Sequence, residues 1–290
     1  MSKLDFKVLS EVFSKSFINL LIDDPIRAIW KLKELSIKFD INKNDKPIEI
    51  KSLLDSIYGK LLTDYRSEYV YKNAIAEKIV KGKHKLSENC FYDTEFRVNG
   101  SIADVIISNG TTSVYEIKTE YDSLMRLFNQ LNDYSKAFDK VYVVIPEQKF
   151  ENWSEHIGPE YGIVTLSKNY TLKYKREASS NIHQFDKSVI FSCLRRDEYI
   201  SIFREGTNFI DLKIKPVDLK KVCKEYFLTL SNEEAHNHFN QCLKKRNLER
   251  EIFSLSGCIP KSLTSVVLTT SLSKKRKELL VDALIGSYLH

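Results

Sequence analysis

The chain has 290 residues, 42% apolar, 29% charged and 11% aromatic, with a formal net charge of +6. That size makes one large domain or two smaller ones, and the apolar content with both charge signs argues against disorder. Nine Gly and six Pro are too few for a turn-rich all-β sandwich, no apolar run reaches the about 18 residues of a membrane span, and the start MSKLDFKVLSEVFSKSF, with no uninterrupted apolar stretch, is not expected to act as a signal peptide.

Residues 1–66 read as helical, since VLSEVFSKSFINLLI and PIRAIWKLKELSIKF place apolar residues three and four apart. Pro25 after Asp23-Asp24 suits a helix first turn. DINKNDKP (40–47) reads as a loop, and a long helix from about Ile48 to Val80 is expected to break near Thr63–Arg66. From Phe91 the period changes to two. YDTEFRV, IADVIIS and TSVYEIK read as strands separated by Asn99-Gly100 and Asn109-Gly110, a dipeptide that favours hairpins. An amphipathic helix is expected over Tyr121–Phe138, then strands at KVYVVIP and Tyr161–Leu166. Beyond about residue 182 the pattern is helical, with a capping box at Ser231 and Glu234. The expected organisation is a helical region over 1–59, an α/β core with a mixed sheet over 60–181, and a basic helical region over 182–290.

The five cysteines (90, 193, 223, 242 and 258) show neither CxxC nor zinc spacing, as free thiols of a cytoplasmic protein would. There is no Walker A motif and no GxGxxG loop. The stretch Asp104–Lys118 carries the chemistry. Alternation along the third strand puts Glu116 and Lys118 on one face. A hairpin through Asn109-Gly110 brings Asp104 near Glu116. Two carboxylates at one sheet edge repel unless a proton or cation lies between them. A hard divalent cation such as Mg²⁺, for which Mn²⁺ can substitute, resolves this, with the Ile117 carbonyl as a further oxygen ligand. Other features point less clearly. His236 and His238 sit two apart on a helix and so face apart. The basic run Lys274, Lys275, Arg276, Lys277 reads either as a solvated helix face or as a nucleic-acid contact.

Asp104 followed by Glu116-Ile117-Lys118 resembles the motif of the PD-(D/E)XK nuclease superfamily, although Ala103 stands where the motif has proline. The pattern is closest to small bacterial and prophage-borne proteins of that type. In these an E-I-K strand precedes a helix of the form D-x-x-x-R-L-x-x-Q-x-x-x-Y, here Asp122, Arg126-Leu127, Gln130 and Tyr134. The resemblance implies a restriction-endonuclease-like αβββαβ core flanked by N- and C-terminal helices. It implies Asp104, Glu116 and Glu68 as catalytic and metal-holding acids, with Glu77 as an alternative to Glu68. Lys118 and Gln130 join them as catalytic groups, and Gln130, Tyr134 and Arg126 contact substrate. It implies a Mg²⁺-dependent nuclease with a role in phage defence or in competition between mobile elements, with DNA favoured over RNA. A partner-activated RNA- or tRNA-cleaving effector and a catalytically silent nucleic-acid-binding module are the alternatives. Homodimerisation or a protein activator is compatible with it, and no membrane association is expected.

The charge is uneven. Residues 1–166 hold 23 Lys+Arg and 25 Asp+Glu, a net of −2, whereas residues 167–290 hold 22 and 14, a net of +8. The sequence therefore predicts that acids and metal cut while C-terminal helices, Lys274, Lys275 and Arg276 among them, hold phosphates.

Overall fold

A computed structural model describes residues 3–41, 49–83, 90–207, 215–248 and 258–286. Most of the expected loop over 40–47 lies outside them. Compactness divides the chain into two units. The first comprises Met1–Leu86, Leu166–Leu172 and Arg250–His290; the second comprises Ser87–Thr165 and Lys173–Glu249.

The first unit is helical. It contains α1 (Lys3–Ser10), α2 (Lys15–Asp23), α3 (Pro25–Lys38), α4 (Ile50–Asp64), α5 (Glu68–Ile75), α12 (Thr264–Thr269) and α13 (Lys274–Ile285). Pro25 opens α3 as expected, and Asp24 Oδ1 accepts from the Arg27 amide at 3.0 Å. The expected break falls between α4 and α5, and α5 runs on as a π-helical stretch, Ala76–Lys83. Leu9, Ile18, Leu21, Leu32, Leu54 and Ile57 are fully buried. The inserted turn 166–172 is held by Tyr170, whose hydroxyl lies 2.7 Å from that of Tyr58, and by Arg66 Nη1 on the Ser167 carbonyl at 2.6 Å.

The second unit is built on a six-stranded mixed sheet in the order β1-β2-β3-β4-β5-β6. The strands are β1 (Phe91–Val98), β2 (Ser101–Asn109), β3 (Thr111–Ile117), β4 (Lys140–Pro146), β5 (Gly162–Leu166) and β6 (Leu172–Arg176). β1 to β3 are antiparallel and β4 runs parallel to β3. The parallel step is bridged by α6 (Leu127–Ser135), the βαβ connection that a parallel pair requires. Gly110, at φ +79, makes the second hairpin turn, a conformation that suits glycine. β6 was not among the expected strands. Its alternation of Leu172 and Tyr174 with Lys173 and Lys175 is that of a lysine-blunted edge. α7 (Phe150–Ser154), α8 (Lys187–Cys193), α9 (Arg196–Thr207), α10 (Pro216–Thr229) and α11 (Asn232–Leu248) complete the unit. One apolar core joins Phe91, Val114, Val143 and Ile163 of the sheet to Tyr134, Phe138, Ile190, Phe227 and Phe239.

The units cut across the expected division at 60 and 182. α5 packs with α12 in the helical unit, because Tyr69 and Asn73 donate to the carbonyls of Ser262 and Lys261 at 2.6 and 2.8 Å. In the second unit, α8 and α11 pack on β1, and α11 also packs on β2. A buried ion pair fastens α11 to α9: Arg246 Nε and Nη2 lie 2.6 Å from the two Glu198 oxygens. The expected basic C-terminal region is thus shared, its last two helices belonging to the first unit. By unit the charge separates further: 24 Lys+Arg against 15 Asp+Glu in the first, net +9, and 21 against 24 in the second, net −3. No helix among the described residues is long and apolar enough to cross a membrane.

Candidate active site

The site grows from the β2–β3 register. The pairs run from Asn109↔Thr111 to Val105↔Tyr115, and one further step puts Asp104 across from Glu116. The ladder does not close there with a backbone pair. Instead the Asp104 carboxylate takes the Ile117 amide, Oδ2 to N at 2.7 Å. On its other side, β2 passes from Val105↔Thr94 to Ala103↔Phe96, skipping Asp104 and Glu95. Glu95 has φ +58, so β1 is distorted beside Asp104. The Glu95 side chain is exposed.

Glu116 is 1% exposed and would be costly to bury as a lone charge. It is not alone. Lys118 Nζ lies 2.6 Å from Oε1, and the Tyr134 hydroxyl lies 2.8 Å from Oε2. Lys118 in turn donates to Gln130 Oε1 at 3.0 Å. Tyr134 Oη is also 2.8 Å from the Ile102 carbonyl, so its single proton serves one acceptor at a time. Burial pushes the Tyr134 hydroxyl well above the ordinary phenol range, and the Glu116 carboxylate, with Asp104 beyond it, pushes it further. Tyr134 therefore remains a proton donor at any physiological pH.

The structure thus brings together five expected residues: Asp104, Glu116, Lys118, Gln130 and Tyr134. Tyr134 holds Glu116 from below; at 0% exposure its ring cannot reach a substrate, contrary to the substrate contact expected of it. The helix expected over Tyr121–Phe138 also fails at its start. α6 begins only at Leu127, because the Asp122 carboxylate captures the Thr119 amide at 2.8 Å and the Thr119 hydroxyl at 2.7 Å. Short side chains that bond nearby backbone favour turns over helix. Arg126 becomes the residue preceding the helix, with an exposed side chain.

The remaining expected residues belong to other elements. Glu68 belongs to α5 of the helical unit, where its carboxylate pairs with Lys72 Nζ at 2.6 Å. Glu77, its alternative, accepts from Lys81 at 2.9 Å and is bonded to Thr264. Lys274 and Lys275 are exposed on α13, but Arg276 forks onto Asp23 at 2.6 and 3.1 Å and onto Asn19 at 3.0 Å, which makes it a tie between α13 and α2. Lys277 is buried. His236 packs on Phe185 with Nε2 3.3 Å from Thr111, and burial lowers its pKa, while His238 stands apart from it.

Asp104, Glu116 and the Ile117 carbonyl form an all-oxygen set, the donor chemistry of a hard divalent cation that keeps several waters. No group of three or more His, Cys, Asp or Glu side chains placed to hold a metal ion occurs among the described residues. The Lys118 ammonium now neutralises one of the two carboxylates.

A protein of unknown function from Silicibacter pomeroyi resembles the chain at 17% identity and a TM-score of 0.27, over 51% of this chain and 77% of that one. Protein cII of Enterobacteria phage P4 is 27% identical over 131 residues, covering 45% of this chain and 43% of the relative, so the match spans less than half of that relative's length. The bacteriophage P4 protein cII family model matches residues 62–276, a span that holds Asp104, Glu116, Lys118, Gln130 and Tyr134. By that match over most of its length, the chain belongs to the bacteriophage P4 protein cII family.

Proposed function

We propose that the second unit is a metal-dependent nuclease of the PD-(D/E)XK type, acting on DNA in preference to RNA. The observation that carries this reading is the placement of Asp104 opposite Glu116 at the end of a hairpin, with Lys118 2.6 Å from Glu116. Structural ion pairs seldom need a second carboxylate on the adjacent strand, where like charges repel. Within the second unit, the order of three strands, α6 and β4 agrees with the βββαβ part of a restriction-endonuclease-like core, and that topology is part of the proposal.

In this reading Asp104, Glu116 and the Ile117 carbonyl hold Mg²⁺ or Mn²⁺. The bound cation supplies Lewis acidity toward the scissile phosphate and lowers the pKa of water. The protein's own groups do the rest. The Ile117 amide fixes the rotamer of Asp104, and Tyr134 fixes that of Glu116. Gln130 steadies the Lys118 ammonium, which is placed to orient the attacking water and to stabilise negative charge on the phosphate. Arg126, exposed ahead of α6, is free to meet a neighbouring phosphate. The proposal uses the second unit alone and gives Glu68 no part. Work on phage or mobile-element DNA is the biological setting it suggests.

The test is to incubate the purified chain with plasmid, linear duplex, single-stranded DNA and total RNA, with and without Mg²⁺. Glu116→Ala and Lys118→Ala are the controls. Mg²⁺-dependent cleavage lost in both variants is expected. Absence of such cleavage from every substrate would refute the nuclease, and binding that survives without cleavage would point to a silent nucleic-acid-binding module.

A further inference from the structure

Helix α3 buries Ala28, Ile29, Leu32 and Leu35 within the first unit. Its opposite side carries Ile26, Trp30 and Ile37, which are 65, 70 and 82% exposed. With Lys33 these residues follow one another at intervals of four, three and four, the spacing of a coiled-coil seam. Arg27 and Glu34 lie seven apart along one edge of that seam. The other edge is Ile29 and Ser36, both buried. The neighbouring lysines are engaged, Lys31 with Glu11 at 3.5 Å and Lys38 with Asp5 at 3.3 Å. Among the described residues neither the Arg27 nor the Glu34 side chain has a hydrogen bond or ion pair.

We propose that two copies of the chain pair through α3, antiparallel about a two-fold axis. The seam is self-complementary only in that direction. Ile26 meets Ile37 of the second copy at both ends. In the middle Trp30 meets Lys33 of the second copy, an ammonium against an indole face. An antiparallel two-fold sets like edges against each other, so Arg27 faces Glu34 of the second copy, twice. A parallel pair would set the Arg27 and Glu34 edge against the buried edge and leave both charges unmatched. The contact is isologous and closes as a dimer. A single helix of 14 residues forms a smaller contact than a standard interface, so the pairing is reversible and concentration-dependent. It does not rest on the nuclease reading.

Sedimentation velocity of the full chain over a concentration series tests this. The wild type is expected to shift from monomer to dimer as concentration rises. Trp30→Asp and Ile37→Glu, at exposed positions that leave the fold intact, are expected to stay monomeric with unchanged far-UV circular dichroism. Arg27→Glu and Glu34→Arg each weaken the dimer by about tenfold or more, since each sets like charges together twice. The double variant recovers wild-type affinity, and an equimolar mixture of the two single variants forms a heterodimer. A wild type monomeric at every attainable concentration would overturn the proposal. So would a dimer indifferent to Trp30→Asp, or a double variant as weak as the singles.

Discussion

The Tyr134 hydroxyl is the most economical point at which to test the architecture of the site. Tyr134→Phe keeps the ring that α6 packs into the core and removes one oxygen. That oxygen lies 2.8 Å from a carboxylate only 1% exposed. A hydrogen bond to a charged group contributes about 1.5–3 kcal/mol, and orphaning a buried acceptor sits at the upper end of that range. The Ile102 carbonyl loses its share of the same proton. The expected loss is therefore about 2–3 kcal/mol, a fall in Tm of about 4–12 °C for a unit of this size. Urea denaturation at neutral pH measures it, with Glu116→Gln and the double variant completing a cycle. The coupling energy should be about 1–2 kcal/mol, because the amide still accepts a hydrogen bond but carries no charge. If Tyr134→Phe costs under about 0.5 kcal/mol, or costs the same in the Glu116→Gln background, Tyr134 does not hold Glu116 and the reasoning fails.

Three further outcomes are expected. Stability should fall as pH rises above about 10, the ordinary phenol value, because burial raises Tyr134 in the folded chain while the unfolded chain ionises first; pH-dependent denaturation of Tyr134→Phe should show a shallower alkaline slope. Arg246→Ala should cost about 3–5 kcal/mol by stranding the buried Glu198 carboxylate, and an Arg246→Met/Glu198→Leu pair should recover most of it in the same denaturation assay. With iodoacetamide in the native state the exposed Cys258 should be modified first; Cys90 and Cys242, whose thiols burial pushes up to about 12, should react only on unfolding, as peptide mass spectrometry would show.

The hairpin was legible because its signals are local. Asn-Gly turns and period-two alternation fix the β2–β3 register, and the register alone sets Asp104 across from Glu116. Gln130 was legible for the same reason, since a helix after β3 must cross back over the sheet. The start of α6 was not, because the Asp122 carboxylate can either join a helical stripe or cap Thr119, and only tertiary geometry decides. Tyr134 was legible as a neighbour of the site but not in its role, which depends on how deeply α6 is buried. The partition of helices was hidden altogether. α5 carries an apolar face that would suit a sheet as well as a helix, and bonds to Lys261 and Ser262, about 190 residues away in sequence, assign it to the helical unit. The charge pattern sharpened accordingly, from a basic C-terminal third to a basic helical unit.

That redistribution leads to a prediction about phosphate binding. Of the basic run on α13, Arg276 is committed to Asp23 and Lys277 is buried, which leaves Lys274 and Lys275 exposed. If the first unit binds the backbone of a nucleic acid, those two ammonium groups are available for it. Each phosphate neutralised contributes about −0.9 to the slope of log K against log salt on duplex DNA, about −0.7 on single strands. Lys274→Gln/Lys275→Gln should then flatten the slope by up to about two and weaken binding alike across sequences, with stability unchanged. Arg276→Gln should do the reverse, lowering stability by loosening α13 from α2 while leaving the slope nearly as it was. Fluorescence anisotropy over a salt titration, beside thermal melts of the same variants, separates the two effects. A slope that falls with Arg276→Gln but not with the two lysines would place the electrostatic contact elsewhere on the +9 unit and leave α13 a purely structural helix.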